Sequence, residues 1–547
     1  MPDNYDIADQ FSLLSKLMDI HGENSFKSKT YSVAAYNIER LPVALETADR
    51  SQIFSYKGIG DSIGKKIIEV LETGSLPQLQ QMIEKTPPGV LDLLSIKGLG
   101  PKKISTIWKE MEIESVGELL YACNENRLTL YKGFGEKTQK NVQDAIEFKM
   151  KNLGSHLYAE VETYARQLIE KFSLAFPENR FELTGEFLRQ LEVINKLEFV
   201  TTVPRTTLVE YLTAENFTVS ADLPEILTAQ SAEGIQLHFH LVSIEEFEDK
   251  LFFSGSSESF LQKYLELKTA GSHLPEHLKI PAYLRESAEA FERNHNSNVI
   301  QVADIKGIIH CHSDWSDGSN TLPELAEECI RRGLEYLVIS DHSKAAFYAK
   351  GLSEERILAQ HAFVDELNLR YAPFKIFKSI ECDILNDGTL DYRDEVLASF
   401  DLVITSVHSN LKMTEEKAMK RLLAAIRNPY TTILGHMTGR LLLSRNGYPV
   451  DHKQIIDACA EHSVVIELNA HPRRLDMDWR WISYAMQKNV MISIDPDAHY
   501  ISGFNDLRYG VLAAQKGALT KEMNLSSLSR EAFLEYIEMR KRAKNIR

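Results

Sequence analysis

The last part of the chain, residues 304–547, alternates short apolar segments with helical ones, and this repetition restricts the fold more than any other feature. Segments such as "LEYLVIS", "DLVITSV" and "VMISID" have the apolar, β-branched composition of buried parallel strands. A polar residue follows each of them. Because the carboxyl ends of parallel strands meet at one edge of a barrel, we predict an α/β barrel with its functional site at that edge.

Nine residues at these strand ends are of types that bind metal ions. They are His310, His312, Asp317, His342, Glu381, His408, His436, Asp497 and His499. A lone histidine at a strand end is more often a hydrogen-bonded structural residue, but six histidines and three carboxylates at successive strand ends are hard to explain that way. Because a catalytic ion takes three or four protein ligands and a water, the set predicts two or three divalent ions. Because the set contains histidines and carboxylates but no cysteine thiolate, it could bind Mn²⁺, Zn²⁺ or Fe²⁺.

Length and composition limit the classes of protein. A chain of 547 residues predicts about three domains. The five cysteines are odd in number and lack paired spacing, which argues against a disulfide framework and favours a reducing cytoplasm. No stretch approaches the ~20 apolar residues that span a bilayer, so no membrane partner is expected. The net charge of −16 argues against a broadly basic surface, although a local basic stripe remains compatible with DNA.

Residues 1–150 contain three copies of a Lys-Gly-apolar-Gly pattern followed by a lysine-bearing helix: "YKGIG" at 56, "IKGLG" at 96 and "YKGFG" at 131. Such glycines allow a positive φ and leave backbone amides for a phosphate oxygen, while lysines attract DNA without reading its bases. One copy fits a plain capping turn, whereas three predict nucleic-acid binding. The candidate DNA-binding residues are Gly58, Gly60, Lys65, Lys66, Gly98, Gly100, Lys102, Lys103, Gly133 and Gly135.

The composition changes along the chain in a way that predicts four segments. The helical DNA-binding domain covers residues 1–150, and a helix followed by β-branched and aromatic strands covers 151–270. A polar stretch at 271–303 has the composition of a linker, and the metal-binding barrel occupies 304–547.

The candidate ligands, including His310-x-His312 and Asp497-x-His499, resemble those of the PHP domain, the polymerase and histidinol phosphatase superfamily. With the hairpins, the whole chain resembles a bacterial family X DNA polymerase. This resemblance implies a multidomain fold: an α-helical helix-hairpin-helix domain, an α+β nucleotidyltransferase-like palm and thumb, and a distorted α/β (PHP) barrel. It also implies a manganese- or zinc-dependent phosphoesterase that trims DNA 3′ ends.

The resemblance further implies how the ligands divide among the ions. One ion would be held by His310, His312 and Asp497. Glu381 would bridge to a second ion. The remaining ligands would be His408 and His436 for that second ion, and Asp317, His342 and His499 for a third.

The palm departs from the family pattern. Family X palms carry a Gly-Ser that binds phosphate, an Asp-x-Asp on the next strand and a third Asp on a later one. The corresponding positions here hold Glu186 after a glycine, then Lys196 and Glu198, then His238. One carboxylate beside an ammonium group cannot assemble a two-magnesium site. We therefore predict that this degenerate polymerase site does not polymerise.

Three further side chains are candidates for catalysis. Arg440 and Arg473 follow strand ends, where arginine clamps a phosphate bidentately, although both also fit ordinary surface arginines. Lys66, with Tyr31, matches the position of a Schiff-base lysine in eukaryotic family X relatives, which implies lyase activity. A solvated or phosphate-contacting lysine is the simpler interpretation.

These observations predict a DNA-processing or repair enzyme. Its barrel would act as a metal-dependent 3′–5′ exonuclease or related phosphoesterase, including abasic-site or 3′-phosphate removal, on gapped or damaged DNA. Three alternatives stay open: an active family X polymerase with an attached nuclease, a small-molecule phosphatase of the histidinol-phosphate type, and a non-enzymatic DNA-binding scaffold. The hairpins argue against the phosphatase, and the complete ligand set argues against the scaffold.

Overall fold

A computed structural model describes most of the chain, in two compact units, Met1–Leu153 and Gly154–Arg547. No helix in the described part is long and apolar enough to cross a bilayer. The described residues are 2–41, 43–56, 58–124, 127–151, 154–220, 226–232, 234–270, 280–291, 298–443 and 446–546.

The first unit is built from helices separated by short turns. Its first helix starts at a capping box formed by Asp3 and Asp6 and ends at Gly22, which has a left-handed φ of +77°. Buried aliphatic side chains from all these helices form one core. The helices are α1 (Asn4–His21), α2 (Ser25–Glu39), α3 (Asp61–Thr73), α4 (Pro77–Glu84), α5 (Pro88–Leu93), α6 (Pro101–Lys109), α7 (Val116–Asn124) and α8 (Glu136–Lys151).

The second unit starts with an α+β region, here called the middle region (residues 154–291). Its elements are β1 (His156–Leu157), α9 (Tyr158–Ala175), β2 (Phe181–Thr184), α10 (Gly185–Leu188), β3 (Val193–Ile194), β4 (Leu197–Thr201), α11 (Arg205–Ala214), β5 (Thr218–Ser220), β6 (Ile226–Gln230), β7 (Gln236–Leu241), α12 (Phe247–Ser254) and α13 (Glu258–Thr269). A five-stranded sheet has the order β2-β4-β7-β6-β5, in which only the β4–β7 pair is parallel. Phe199 of β4 and Phe239 of β7 stack on each other, and Phe172 of α9 meets both rings edge to face.

The rest of the second unit is a parallel α/β barrel. Its elements are β8 (Gly307–Cys311), α14 (Leu322–Arg331), β9 (Tyr336–Ile339), α15 (Glu354–Tyr371), β10 (Lys375–Lys378), β11 (Glu381–Asp383), α16 (Asp394–Ala398), β12 (Ile404–Ser406), α17 (Glu415–Arg427), β13 (Ile433–Leu434), α18 (His452–His462), β14 (Val465–Asn469), α19 (Ile482–Gln487), β15 (Ile492–Asp495), α20 (Leu507–Lys516) and α21 (Arg530–Ala543).

Two parallel sheets, β10-β9-β8 and β11-β12-β13-β14-β15, form the wall of this barrel. Single bridges join them at both edges, between His342 and Glu381 and between Cys311 and Ala498. The sheets therefore close into a ring, and the predicted succession of a helical domain, an α+β region and an α/β barrel is confirmed.

The segment predicted as a linker contains packed structure. Ile280, Leu284 and Ala290 are buried in a small core with Phe252 and Phe260 of the middle region. Residues 271–279 and 292–297 lie outside the described part of the chain. The described stretch 280–291 therefore belongs to the middle region, because its apolar side chains complete that region's core.

Candidate metal centre

The carboxyl ends of the barrel strands bring all nine predicted ligands to one place. His310 lies in β8, and Asp497 follows β15; both have positive φ values, +60° and +50°. A left-handed backbone is uncommon for residues other than glycine, and strained residues of this kind concentrate at functional sites. A register shift in β8 between Ile308 and Cys311 accompanies the turn that presents His310.

Glu381, the first residue of β11, lies at the centre of the cluster and is almost fully buried. Four imidazole nitrogens surround its carboxylate: those of His342 at 2.9 Å, His408 at 3.0 Å, His436 at 3.0 Å and His310 at 3.3 Å. A carboxylate with two oxygens and four nearby imidazoles has the geometry of a bridging ligand.

A second carboxylate, that of the partly exposed Asp317, lies near three imidazoles. Its Oδ1 lies 3.5 Å from His499, 3.7 Å from His342 and 3.9 Å from His312. Asp497 Oδ1, in turn, lies 3.1 Å from His312 Nε2. His312 therefore stands between the two carboxylates.

Candidate ligand atoms within 4.8 Å of one another form three groups, with the burial expected of a shielded site. The first is His310, His312 and Asp497, the second is His342, Glu381 and His408, and the third is His312, Asp317, His342 and His499. These groups could each hold a metal ion. They overlap through His312 and His342, whereas the family pattern gives each histidine to one ion.

Charges within the cluster shift several pKa values in opposite directions. Burial would lower the pKa of His408, but Glu381 and Asp383 raise it to about 10. Burial, with His499 and His342 nearby, lowers the pKa of His312 to about 3. The carboxylates therefore favour a positive charge beside them, which a protonated imidazole such as His408 or a bound cation would supply.

Unsatisfied buried atoms also fit metal binding. Among the described residues, His310 Nε2, His312 Nδ1, His342 Nδ1 and Glu381 Oε2 are buried without a hydrogen bond of good geometry. A buried polar atom without a partner costs free energy, and metal ions bound by the candidate ligand groups would supply partners for such atoms. The residues present therefore fit a multinuclear metal site.

Three residues missed by the sequence analysis orient the candidate ligands. His310 Nδ1 donates to Glu467 at 2.5 Å, and His408 Nδ1 donates to Asp383 at 3.2 Å. Asn469 donates to both Glu467 and Asp497, at 2.9 and 3.1 Å. Such contacts fix the ring tautomer and turn the other nitrogen towards the metal.

The sequence carried a signal for them, because each lies two residues from another polar residue on the same face of a strand: Asp383 from Glu381, and Glu467 from Asn469.

Buried Asp341, next to His342, supports the loop that carries Asp317. Its carboxylate accepts hydrogen bonds from Ser313 N, Ser313 Oγ, Ser316 Oγ and Gln360 Nε2, at 2.5–2.8 Å. Because four donors converge on it, Asp341 is a structural carboxylate rather than a candidate ligand.

The two arginines predicted as phosphate clamps differ in their surroundings. Arg440 donates to Asp478 at 2.8 Å, to Arg474 O at 3.0 Å and to Leu475 O. These bonds occupy its guanidinium, so the structure favours a structural role over the predicted phosphate contact. Arg473 is half exposed and pairs with Glu160 at 3.0 Å. Its phosphate contact stays a prediction.

In the middle region, the residues predicted to form a degenerate polymerase site pair with one another or with neighbouring side chains. Glu198 lies 3.1 Å from Lys196 Nζ and 3.4 Å from His240 Nε2, while strand pairing sets His238 beside it. Burial would raise the pKa of Glu198, but His240 and Lys196 lower it below its ordinary value. Glu186 accepts two hydrogen bonds from Asn195, at 2.7 and 2.9 Å. His240, two residues from His238 on the same face, was not predicted.

In the first unit, the three Lys-Gly-apolar-Gly segments adopt one conformation. Gly58, Gly98 and Gly133 have φ values of +86°, +91° and +95°. In each copy the apolar residue is buried, and its backbone N–H donates a hydrogen bond to the carbonyl oxygen three residues earlier. The pairs are Ile59 to Tyr56, Leu99 to Ile96 and Phe134 to Tyr131. A lysine-bearing helix then begins directly after the second glycine, as helices α3, α6 and α8 do.

Around these turns, Lys65 and Lys102 are exposed, while Lys66 and Lys103 are partly covered. Lys66 Nζ lies 5.8 Å from the ring of Tyr31, the tyrosine predicted to accompany it. Lys103 donates to Gly98 O at 3.3 Å. The lyase role of Lys66 stays a prediction.

Family models match two parts of this fold, the helical first unit and the barrel. A helix-hairpin-helix domain profile matches residues 2–76, a SAM-like helix-hairpin-helix tandem profile matches 90–147, and a PHP domain profile matches 309–471. Together with the fold and the site, these matches define a protein with helix-hairpin-helix domains and a PHP domain.

A full-length relative narrows this class. The DNA polymerase/3'-5' exonuclease PolX of Bacillus subtilis (strain 168) is 32% identical over 565 residues, which cover 97% of this chain and 99% of the relative. The chain belongs to this PolX family, the family X polymerases with a PHP domain.

Two shorter relatives match part of the chain. A probable phosphatase from Caldanaerobacter subterraneus subsp. tengcongensis is 30% identical over 29% of this chain and 60% of its own length. Another, from Thermoanaerobacter sp. (strain X514), is 24% identical over 43% of this chain and 94% of its own length.

Proposed function

We propose that this protein is a metal-dependent phosphoesterase that removes nucleotides from DNA 3′ ends, acting as a 3′–5′ exonuclease. The observation that carries this proposal is the convergence of nine histidine and carboxylate side chains at the carboxyl ends of the barrel strands. Two or three divalent ions bound there would polarise a phosphoryl oxygen and activate water near neutral pH.

The chain's own residues prepare the site for that chemistry. Glu467 and Asp383 hold His310 and His408 by their Nδ1 atoms, which leaves both Nε2 atoms directed at Glu381. Asp341 fixes the loop that presents Asp317. No side-chain nucleophile is required, because the ligands position water and phosphate together.

For the metal, we propose Mn²⁺, Zn²⁺ or Fe²⁺, since imidazole and carboxylate ligands without thiolate accept all three. The three overlapping ligand groups support two or three ions. The three hairpins in the first unit supply DNA binding, for which gapped or damaged DNA with a free 3′ end is the proposed substrate.

We also propose that the middle region no longer polymerises. Nucleotidyl transfer by two magnesium ions needs several carboxylates, and here Glu198 is already balanced by Lys196 and His240. Glu186, at the position where phosphate would bind, would repel a triphosphate.

The deciding experiment uses a 5′-labelled primer on a gapped template with the purified protein, Mn²⁺ and all four deoxynucleotides. Products shorter than the primer support the proposal. Longer products contradict the loss of polymerisation, and an unchanged primer contradicts the exonuclease.

A second candidate activity is the removal of a terminal phosphate, since two relatives that match part of the chain are probable phosphatases. A primer ending in a 3′ phosphate separates the two activities. Release of inorganic phosphate without shortening would indicate a phosphomonoesterase, whereas release of nucleoside monophosphates would indicate the exonuclease.

A further inference from the structure

A basic groove is formed by the loops that follow β11 and β12, in a protein with a formal net charge of −16. It has a volume of about 470 Å³, and its lining includes Lys412, Lys417, Lys420 and Arg421 but one carboxylate, Asp387. In an acidic chain, such a local concentration of positive charge forms an attractive patch for an anion.

The groove is built from the same loops that present two candidate ligands. One wall is the turn after β11, closed by a bridge between Ile384 and Leu390. The other wall follows β12, where Asn410, two residues beyond His408, donates to Asn386 across the groove at 2.7 Å. The segments that form the groove therefore follow the strands that present Glu381 and His408, which places the groove on the same side of the barrel as these ligands.

Arg421 forms the buried floor of the groove and joins its two walls. Its guanidinium donates to Leu385 O at 2.9 Å, to Ser409 O at 2.8 Å and to Ile384 O. Because these carbonyls use its donors, Arg421 shapes the groove and is not the group that meets a ligand.

The lysines on α17 are placed differently. Lys417 and Lys420 are exposed and lie three residues apart, so both project from one face of the helix. Among the described residues, no carboxylate lies within 4.0 Å of either Nζ, whereas lysines elsewhere on the barrel, such as Lys378 and Lys488, are ion-paired. Two unpaired ammonium groups facing a groove fit successive negative charges on a ligand.

We propose that this groove binds the backbone phosphates of the DNA strand whose 3′ end enters the metal centre, with Lys417 and Lys420 as the contacting residues. This inference rests on the proposed exonuclease function and specifies its substrate. A single-stranded polyanion gains from both lysines, whereas a substrate with one nucleotide occupies the metal centre and does not reach them.

The test compares two substrates in the full-length protein with Mn²⁺: a labelled tetranucleotide, and thymidine 5′-(p-nitrophenyl phosphate), which has one nucleotide. The variant is Lys417→Gln/Lys420→Gln. Its matched control is Lys375→Gln/Lys521→Gln, which removes the same charge near the amino ends of β10 and β15, opposite the metal centre.

We expect kcat/KM of the variant to fall about tenfold on the tetranucleotide and to stay within about twofold on the single nucleotide. The slope of log(kcat/KM) against log salt concentration should become shallower by about 1.4, for two lost phosphate contacts of ~0.7 each on a single strand. The control variant should change neither kcat/KM on the two substrates nor the salt dependence.

The groove proposal would be contradicted if kcat/KM of the variant fell equally on both substrates. It would also be contradicted if kcat/KM on the tetranucleotide fell no further in the variant than in the control. Either result would leave the proposed exonuclease function intact. A wild-type protein that cleaves neither substrate would overturn the proposed function and the groove with it.

Discussion

The barrel and the middle region both direct charged side chains from their strands, yet they produce opposite environments. In the barrel, Glu381 is surrounded by imidazoles from four other strand ends, and several buried ligand atoms have no hydrogen-bond partner. In the middle region, Glu198 of β4 is paired with Lys196, which directly precedes that strand, and with His240 of the neighbouring β7.

The difference follows from topology. A closed parallel ring directs the ends of all its strands to one point, so residues far apart in sequence can share one ion. An open sheet sets residues side by side, and in the middle region Lys196 pairs with the neighbouring Glu198. The comparison teaches that charged side chains on neighbouring strands form a candidate metal site only where carboxylates meet groups that can give up a proton and bind the metal, as imidazoles can and a lysine beside a carboxylate does not.

Removing metal ions tests whether the barrel cluster is a metal site, and it should have the largest effect on hydrolysis. Treatment with a chelator, followed by its removal, should abolish hydrolysis and lower the thermal midpoint by about 5 °C, because a ligand at 100 times its Kd contributes ~2.7 kcal/mol. Activity assays and calorimetry, before and after adding Mn²⁺, measure both. Full activity in metal-free protein would contradict the metal centre.

Asp497→Asn removes one charge from the barrel cluster and keeps its shape. We expect hydrolysis to fall by at least ~10³-fold, since the amide cannot replace a buried anionic ligand beside His310 and His312. DNA affinity, measured by fluorescence anisotropy, should stay unchanged because the hairpins lie in the other unit. Loss of DNA binding would contradict this division of labour.

Lys516→Met tests whether the barrel and the middle region are stabilised together. Lys516 of α20 is fully buried and lies 2.7 Å from Glu192 of the middle region. Removing one partner leaves a buried charge, so we expect the free energy of unfolding to fall by about 3–5 kcal/mol in urea denaturation.

Two controls accompany this measurement. Lys516→Met/Glu192→Gln should recover much of the stability, and Lys488→Met, which breaks an exposed pair with Asp457, should cost no more than ~1 kcal/mol. Similar losses in Lys516→Met and Lys488→Met would show that the buried pair does not couple the regions.

Glu198→Gln is the counterpart of Asp497→Asn in the middle region and should have the smallest effect. Hydrolysis should stay within about twofold of wild type, because no step assigned to the barrel uses Glu198. The same 5′-labelled primer assay measures it. A loss of more than tenfold would show that the middle region takes part in the reaction.

The sequence alone determined much of this protein. Regular apolar segments ending in His, Asp and Glu predicted the barrel and its site, because parallel strands place their carboxyl ends together. Repeated Lys-Gly-apolar-Gly segments predicted three hairpins of one conformation, since glycine alone takes φ near +90° without strain.

Tertiary structure alone decided the partners of each side chain. Arg440 follows a strand end as a phosphate clamp would, but the backbone carbonyls of Arg474 and Leu475 occupy its guanidinium. Glu467 lies on the same strand face as Asn469, but only the fold sets its carboxylate against His310 Nδ1. A linear pattern fixes which face a residue takes on its own strand, but the neighbour across a closed barrel depends on contacts between distant segments.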